Sequence, residues 1–169
     1  MTCAFRKVPA SVSRRVPLCG RVPGGALAPG GRLRAAINSA NPVLVQTDPA
    51  TGAPSGVTMD LARELARRLG VALEPTVIDG AGKSFETVKA GTCDIGFLAV
   101  EPARAAEIDF TAPYVVIEGV YAVRSDSPLK TNADVDRAGV RISVNKGAAY
   151  DLFLTRTIKQ ATLVRAEDS

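Results

Sequence analysis

Apolar residues fall four apart in VTMDLARELARRLG, at Val57, Leu61, Leu65 and Leu69, with Ala62 and Ala66 beside them. Asp60, Arg63, Glu64, Arg67 and Arg68 fill the other face. This period predicts an amphipathic helix with Gly70 as its left-handed cap. Glu64 reads as a partner of Arg67 or Arg68 on a solvated face, rather than as half of a carboxylate pair with Asp60. Shorter runs flank the helix. Residues 33–38 and 71–78 read as strands, and the near-continuous apolar run 92–100 suits a parallel strand covered on both faces. Between the last two, Ser84 is placed to cap a short helix carrying Phe85 and Val88 and closed by Gly91. Residues 47–56 are dense in turn formers and read as a loop. Strand, helix, strand, helix, strand is the order of an open parallel sheet with crossover helices. In such sheets ligands collect beyond the carboxyl ends of the strands.

One residue at that end breaks a local rule. Pro102 suits the first position of a helix, with Glu101 just before it. Arg104 then falls in the first turn, where a cation opposes the helix dipole at a cost of about 0.3–1 kcal/mol. Two readings account for it. Arg104 and the free N–H groups of the turn can hold an anion, best a carboxylate gripped by two parallel hydrogen bonds. Alternatively Arg104 is a surface partner of Glu101 or Glu107, each three residues away. Spacing alone leaves both open.

Composition narrows the chemistry. The protein has 169 residues and no histidine, which excludes His-based catalytic triads and removes the commonest transition-metal ligand. Cys3, Cys19 and Cys93 are odd in number and show neither metal spacing nor a disulfide framework. Cys93 reads as a buried, inert thiol. DGAGKS, residues 79–84, is too compressed for a phosphate loop and reads as a turn. The net charge of +4 is concentrated at one end. Residues 1–31 hold Arg6, Lys7, Arg14, Arg15 and Arg21 and no acid; without these five, 16 basic residues face 17 acidic ones. A nucleic-acid binder is therefore not indicated. Pro9, Pro17, Pro23 and Pro29, with their neighbouring glycines, interrupt every apolar run there. SRRVPLCG, including Cys19, is thus only a faint match to an export or lipidation signal. Residues 1–31 are expected to be a basic, Pro/Gly-rich disordered tail or a misassigned start, making few contacts. No stretch approaches the ~18 apolar residues of a membrane span.

From about residue 32 to the end, the sequence resembles family 3 of the bacterial extracellular solute-binding proteins, the amino-acid receptors of ABC importers. GVTMDLARELARRLGV is similar to the family's first helix, and VKAGTCDIGF to its short helix and following strand. EPARAAEIDFTAPY is similar to the ligand-arginine segment, where the family usually has T-x-x-R followed by D-F-S-x-P-Y. GVRISVNKGAAYDLFL resembles the strand, Gly-Thr-Thr loop and helix of the second lobe. The implied fold is the α/β periplasmic-binding-protein type II, two lobes of mostly parallel sheet with flanking helices and a ligand clamped between them. Residues 32–122 would form lobe 1 and residues 123–169 a partial lobe 2. Residues 117–128 would be the first crossing between lobes. Thr131 would cap a short helix before a strand at 140–144 and an apolar helix at 148–158. Family members continue well past the position of Ser169. The second lobe is therefore expected to be incomplete, the protein truncated at its carboxyl end and its binding impaired.

The resemblance also implies a ligand-binding set of Arg104, Asn38, Asn41, Phe97, Ala99, Glu101, Gly147, Ala148 and Ala149. Arg104 matches the arginine that binds the ligand carboxylate. Ala99 stands where a serine is common, its backbone still available, and Glu101 replaces the usual threonine. Asn38 matches an acidic residue that often meets the ligand amino group, and Asn41 an aromatic that covers the ligand. Gly147, Ala148 and Ala149 match the Gly-Thr-Thr loop but lack both hydroxyls. The carboxylate grip is retained and the amino-group grip altered, which points to a small carboxylate or a modified amino acid. The implied protein is a periplasmic, monomeric substrate-binding component that docks on an ABC permease. It would have no metal, cofactor, nucleic acid or membrane insertion and no catalytic residues. Two alternatives share the scaffold. One is a cyclohexadienyl-dehydratase-like enzyme, for which Glu101 is the sole acid–base candidate. The other is a ligand-sensing module of a signalling system.

Overall fold

The computed structural model describes residues 1–6 and 27–167. Its regular elements are β1 (Thr2–Arg6), β2 (Arg32–Asn38), β3 (Gln46–Thr47), β4 (Pro54–Ser55), α1 (Val57–Leu69), β5 (Ala72–Ile78), α2 (Ala81–Lys89), β6 (Ile95–Leu98), α3 (Pro102–Ala105) and β7 (Ile108–Phe110). A 3-10 turn (Asn132–Asp134), β8 (Arg141–Asn145), α4 (Ala149–Thr157) and β9 (Thr162–Ala166) follow. No helix among the described residues is long and apolar enough to cross a membrane.

The main sheet has the strand order β5-β2-β6-β1-β7. β2 runs parallel to β5 and to β6, while β1 is antiparallel to both β6 and β7. Four strands therefore point one way and β1 alone opposes them. This corrects the expected N-terminal tail. Residues 2–6 are not irregular; they form the fourth strand of the sheet, with Thr2 and Ala4 fully buried. The proline and glycine that suggested disorder begin only at Pro9, and TCAFR itself contains neither. Its small alternate residues fit the gap between β6 and β7, whose backbone groups would otherwise lack partners. Residues 7–26, which make up most of the expected tail, lie outside the described residues.

Sequence and structure agree closely at α1. Gly70 ends it in the left-handed conformation, and Glu64 accepts from both Arg67 and Arg68 on the solvated face. Its buried stripe is Thr58, Met59, Ala62 and Ala66, however, while Val57 and Leu61 remain exposed. The alanines let the helix lie close on Leu33, Ala35 and Ile37 of β2, which rotates the larger leucines toward the rim. Gly56, just before α1, has φ +102, and a Cβ there would stand 2.8 Å from the Leu44 carbonyl oxygen. Only glycine fits that approach. The opposite face of the sheet is covered by α2, with Ala4, Ala36, Val88, Cys93, Leu98 and Ile108 in one cluster. Cys93 is buried as expected, and burial pushes its thiol pKa up. Ser84 is not a cap, because α2 starts three residues earlier at Ala81. Its hydroxyl donates back to the Gly80 carbonyl inside the helix.

The second unit is a parallel pair, β8 and β9, covered by α4 through Leu154, Ile142, Val144 and Val135. Tyr121 packs on this cluster, so the change of unit falls slightly earlier than residue 122. The expected crossing at 117–128 contains no strand, because no described segment lies alongside to form a ladder. Val116 and Val120 are each 83% exposed. Three carboxylates fix the loops. Asp134 accepts from Thr131 in a capping box. Asp136 accepts the N–H groups of Lys159, Gln160 and Ala161 at the turn into β9. Asp151 accepts from Gly147 N–H, Thr155 and Arg165.

All three carboxyls lie below their ordinary range. The Thr131 hydroxyl chiefly lowers Asp134, and the Ala161 and Gln160 N–H groups lower Asp136. For Asp151, burial pushes upward but the Gly147, Arg165 and Thr155 hydrogen bonds outweigh it. A depressed folded pKa contributes stability above the unfolded value, about 3.9 for Asp, and loses it as pH falls through the folded one. Hydrogen exchange on acidification below about pH 4 should therefore release β8 and β9 before β2 and β5. Earlier loss of β2 would contradict this.

Candidate functional site

β6 carries the backbone out of the sheet at Leu98, and the next nine residues return it to the start of β7. Arg104 lies in this return. The turn closes through Ala105 N–H to the Glu101 carbonyl at 2.8 Å and Ala106 N–H to the Pro102 carbonyl at 3.2 Å. Pro102 occupies the start of α3, as the sequence indicates. At four residues, α3 is too short for its dipole to attract an anion by itself, so Arg104 dominates the local charge.

Arg104 is 2% exposed. One terminal nitrogen donates to the Ala99 carbonyl at 3.2 Å and the other to the Gly147 carbonyl at 2.8 Å. Burial pushes its pKa down and the nearby Glu101 pushes it back up; a guanidinium stays charged regardless. The surface-pair reading fails. Among the described residues no carboxylate pairs with Arg104, because Glu101 is taken by Arg156 and Glu107 lies 3.7 Å from Lys89. A buried cation is thus held by neutral carbonyls, one from each unit.

Gly147 is the opposing surface. Its φ is +71, and a Cβ would come within 3.2 Å of the Gly82 Cα, so two glycines let the units touch backbone to backbone. Its N–H donates to Asp151 and its carbonyl accepts from Arg104. Gly147 N–H, assigned by resemblance to a ligand, is therefore already engaged. Ala148 is the residue before α4 and Ala149 its first. The N–H groups of that first turn lie outside the helix ladder.

Arg104, Ala99 and Gly147 are brought into direct contact, with Glu101 beside them. Asn38 is the last residue of β2 and Asn41 stands past its carboxyl end, and each is engaged locally. Asn38 Oδ1 accepts from Ala40 N–H at 3.1 Å and Asn41 Oδ1 from Val43 N–H at 3.2 Å. Neither bonds to Arg104. Phe97 leaves the set of ligand residues. Its ring is buried in the core under α1, edge-on to Tyr114 with centroids 6.3 Å apart. It alternates to the face opposite Leu98.

Sequence reasoning missed Arg156 and Asp151. Arg156 donates to both Glu101 oxygens at 2.7 Å, 55 residues away in sequence, and no local pattern marks such a pair. Asp151 was legible in principle. It is the third residue of α4, where an acid reaches back to the N–H groups before the helix. Among the described residues no cluster of His, Cys, Asp or Glu could hold a metal ion.

A parallel α/β sheet with an arginine beyond its carboxyl edge, facing a second α/β unit, is the architecture of a type II periplasmic binding protein. The chain belongs to the bacterial extracellular solute-binding proteins, family 3, whose sequence model matches residues 33–168. It is 26% identical over 113 residues to the amino-acid-binding protein AabA of Dichelobacter nodosus, covering 66% of this chain and 44% of that one. Its fold is shared by the ancestral amino acid-binding protein AncCDT-1, a precursor of cyclohexadienyl dehydratase, with TM-score 0.71 and 22% identity over 86% of this chain and 65% of that one. The L-cysteine receptor of Neisseria gonorrhoeae matches with TM-score 0.68 and 22% identity, over 88% and 61% of the two proteins. The chain spans less than two thirds of each relative's length.

The Glu101–Arg156 pair is asymmetric. The Glu101 side chain is 6% exposed and that of Arg156 44%. Arg156→Ala leaves a buried carboxylate without its ion-pair partner and should lower stability more than neutralising that carboxylate does. Glu101→Gln leaves a guanidinium that water can reach and should cost about 1 kcal/mol. Urea denaturation of the two variants checks this, and the reverse order would contradict it.

Proposed function

We propose that this protein binds a small carboxylate-bearing solute, an amino acid or a derivative of one, between its two units. In this reading it is a monomeric substrate-binding component of an ABC importer that works in the periplasm and docks on a permease. The observation that carries the reading is Arg104, a buried guanidinium whose described partners are two carbonyl oxygens and no anion. Membership of a solute-binding family supports it.

The geometry gives a route to binding. When the units part, the Gly147 carbonyl leaves Arg104 while the Ala99 carbonyl, on the same unit, stays. A solute carboxylate takes the vacated donor and a second N–H of the planar fork. Charge-assisted bonds of this kind are roughly twice as strong as neutral ones, so a carboxylate displaces the peptide carbonyl in a site shielded from water. The amino-group side is weaker. Asn38 offers no charge there, and its oxygen is engaged by Ala40. Solutes whose amino group is blocked or absent therefore lose less here than at an acidic residue. The protein is read as a binder rather than an enzyme. Both Glu101 oxygens accept from Arg156, an ion pair that favours the charged carboxylate and holds it against the second unit, which supports a structural role over an acid–base one. Turnover of prephenate or arogenate would reverse that assignment.

Calorimetry with a panel of L-amino acids and their N-acetyl and 2-oxo counterparts tests the reading. Arg104→Ala should lose about 2–5 kcal/mol of binding, which abolishes a detectable signal for a micromolar solute. Arg104→Lys should not recover it, because an ammonium cannot reproduce the two-pronged grip. Equal affinities in wild type and Arg104→Ala would refute the proposal.

A further inference from the structure

β6 and β7 follow one another in sequence and run parallel, yet they do not pair. β1 stands between them, antiparallel to both. The register sets Thr2 opposite Leu98 at the carboxyl end of β6 and Arg6 opposite Ile108 at the start of β7. The intervening residues 99–107 form a crossover that leaves the sheet beside Thr2 and re-enters it beside Arg6. This crossover carries Arg104. Strands lie ~4.8 Å apart in a sheet, so β1 holds β6 and β7 ~9.6 Å apart, and the two ends of the crossover are further offset along the strand by the length of β1. With β1 absent, β7 can close on β6 by one strand spacing, and the crossover must then fold differently.

Side chains strengthen the coupling. Thr2 is fully buried, and its hydroxyl donates to the Leu98 carbonyl at 3.0 Å. The next carbonyl along, that of Ala99, is the one that accepts from Arg104. At the strand's start, the Met1 amino group donates to the Val115 carbonyl at 2.5 Å and the Met1 carbonyl accepts from Tyr114 N–H at 3.1 Å. Thr111 N–H donates to the Cys3 carbonyl at 3.0 Å. β1 is therefore bonded along its length to the segments on both sides of the Arg104 turn. It does not pair with β2, the next strand in sequence.

We propose that β1 is a positioning element of the Arg104 site, with Thr2 its positioning residue: the first six residues hold β6 and β7 one strand apart and fix the carbonyl next to the one that Arg104 grips. The functional meaning rests on Arg104 as a ligand group, but the test reads the turn itself and needs no ligand.

The test uses the full-length protein. Hydrogen exchange is followed at Ala105 and Glu107, whose N–H groups bond to the Glu101 and Arg104 carbonyls, and in α1 as reference. Thr2→Val removes the hydroxyl at nearly constant shape and should speed exchange in the turn tenfold or more while α1 is unchanged. Thr2→Ser should stay within twofold of wild type. In Ala4→Pro, which removes a ladder N–H and adds a ring at a fully buried position, Arg104 should become reactive to phenylglyoxal. A synthetic peptide of residues 1–6 should restore its protection. The proposal is overturned if the turn is unaffected by Thr2→Val, or if turn and α1 accelerate together. It is equally overturned if Arg104 stays protected while β1 exchanges freely, or if the peptide fails to restore protection. Loss of carboxylate binding in Arg104→Ala bears on the ligand reading alone.

Discussion

Among the described residues, a positive charge without a negative partner sits where the two units meet. Burying a cation is expensive unless its donors are met, and Arg104 meets this demand with peptide carbonyls from both sides. The consequence is mechanical as well as electrostatic. The guanidinium can be satisfied from its own unit only in part, so the second unit is drawn against it through Gly147. Residues that look incidental in sequence follow from this contact. Gly147 has no side chain because its φ is +71 and a Cβ there would come within 3.2 Å of the Gly82 Cα. Asp151 engages Gly147 N–H and so fixes which way its carbonyl points.

The second ion pair across the junction has a different character. Glu101 and Arg156 neutralise one another with good two-pronged geometry. Such a pair aligns the units and adds little attraction, because desolvating Glu101 offsets much of the Coulomb gain. Asp151 and Arg165 likewise cancel within the second unit. Of these described charges, Arg104 alone remains unbalanced. The junction thus holds two kinds of contact, a neutral ion pair that aligns the units and a lone cation met by carbonyls, the group proposed to take an anion.

The sequence revealed elements whose signal is local. The four-residue period of α1, the cap at Gly70, the proline before Arg104 and the apolar run of β6 each contain their own evidence. Contacts between distant residues were invisible. Nothing near Glu101 announces Arg156, and nothing in TCAFR says that it pairs with residues some ninety positions or more away. A composition argument over 31 residues misled because it averaged over TCAFR, which lacks proline and glycine and forms a strand, and over Ala28, which is buried in the core. Phe97 was misplaced for a similar reason. Its position at a strand's carboxyl end is shared with the other candidate site residues, and only the direction of the side chain separates core from cleft. Arg104 was identified through a violation, since a cation early in a turn has no local reason to be there. Its partners then proved to be carbonyls that no spacing rule could have named.

If Arg104 takes a solute carboxylate as proposed, its lack of an ionic partner also bears on which solutes the site would distinguish. Neutral solutes offer Arg104 nothing that Gly147 does not already supply, so they gain no differential free energy by displacing it. An anion does gain, and the gain grows as water is excluded. Selectivity for charge therefore comes from competition with the protein's own backbone, and selectivity for the rest of the solute must come from groups that lack charge here. Asn38 and Asn41, both held in local turns, offer their amide nitrogens more readily than their oxygens. If these amides meet the solute as proposed, such donors favour acceptors, such as the carbonyl of an acylated or oxidised amino group, over an ammonium. On the proposed reading, Asn38 would weaken the grip on an ordinary amino acid and give its carbonyl-bearing derivatives a matching surface.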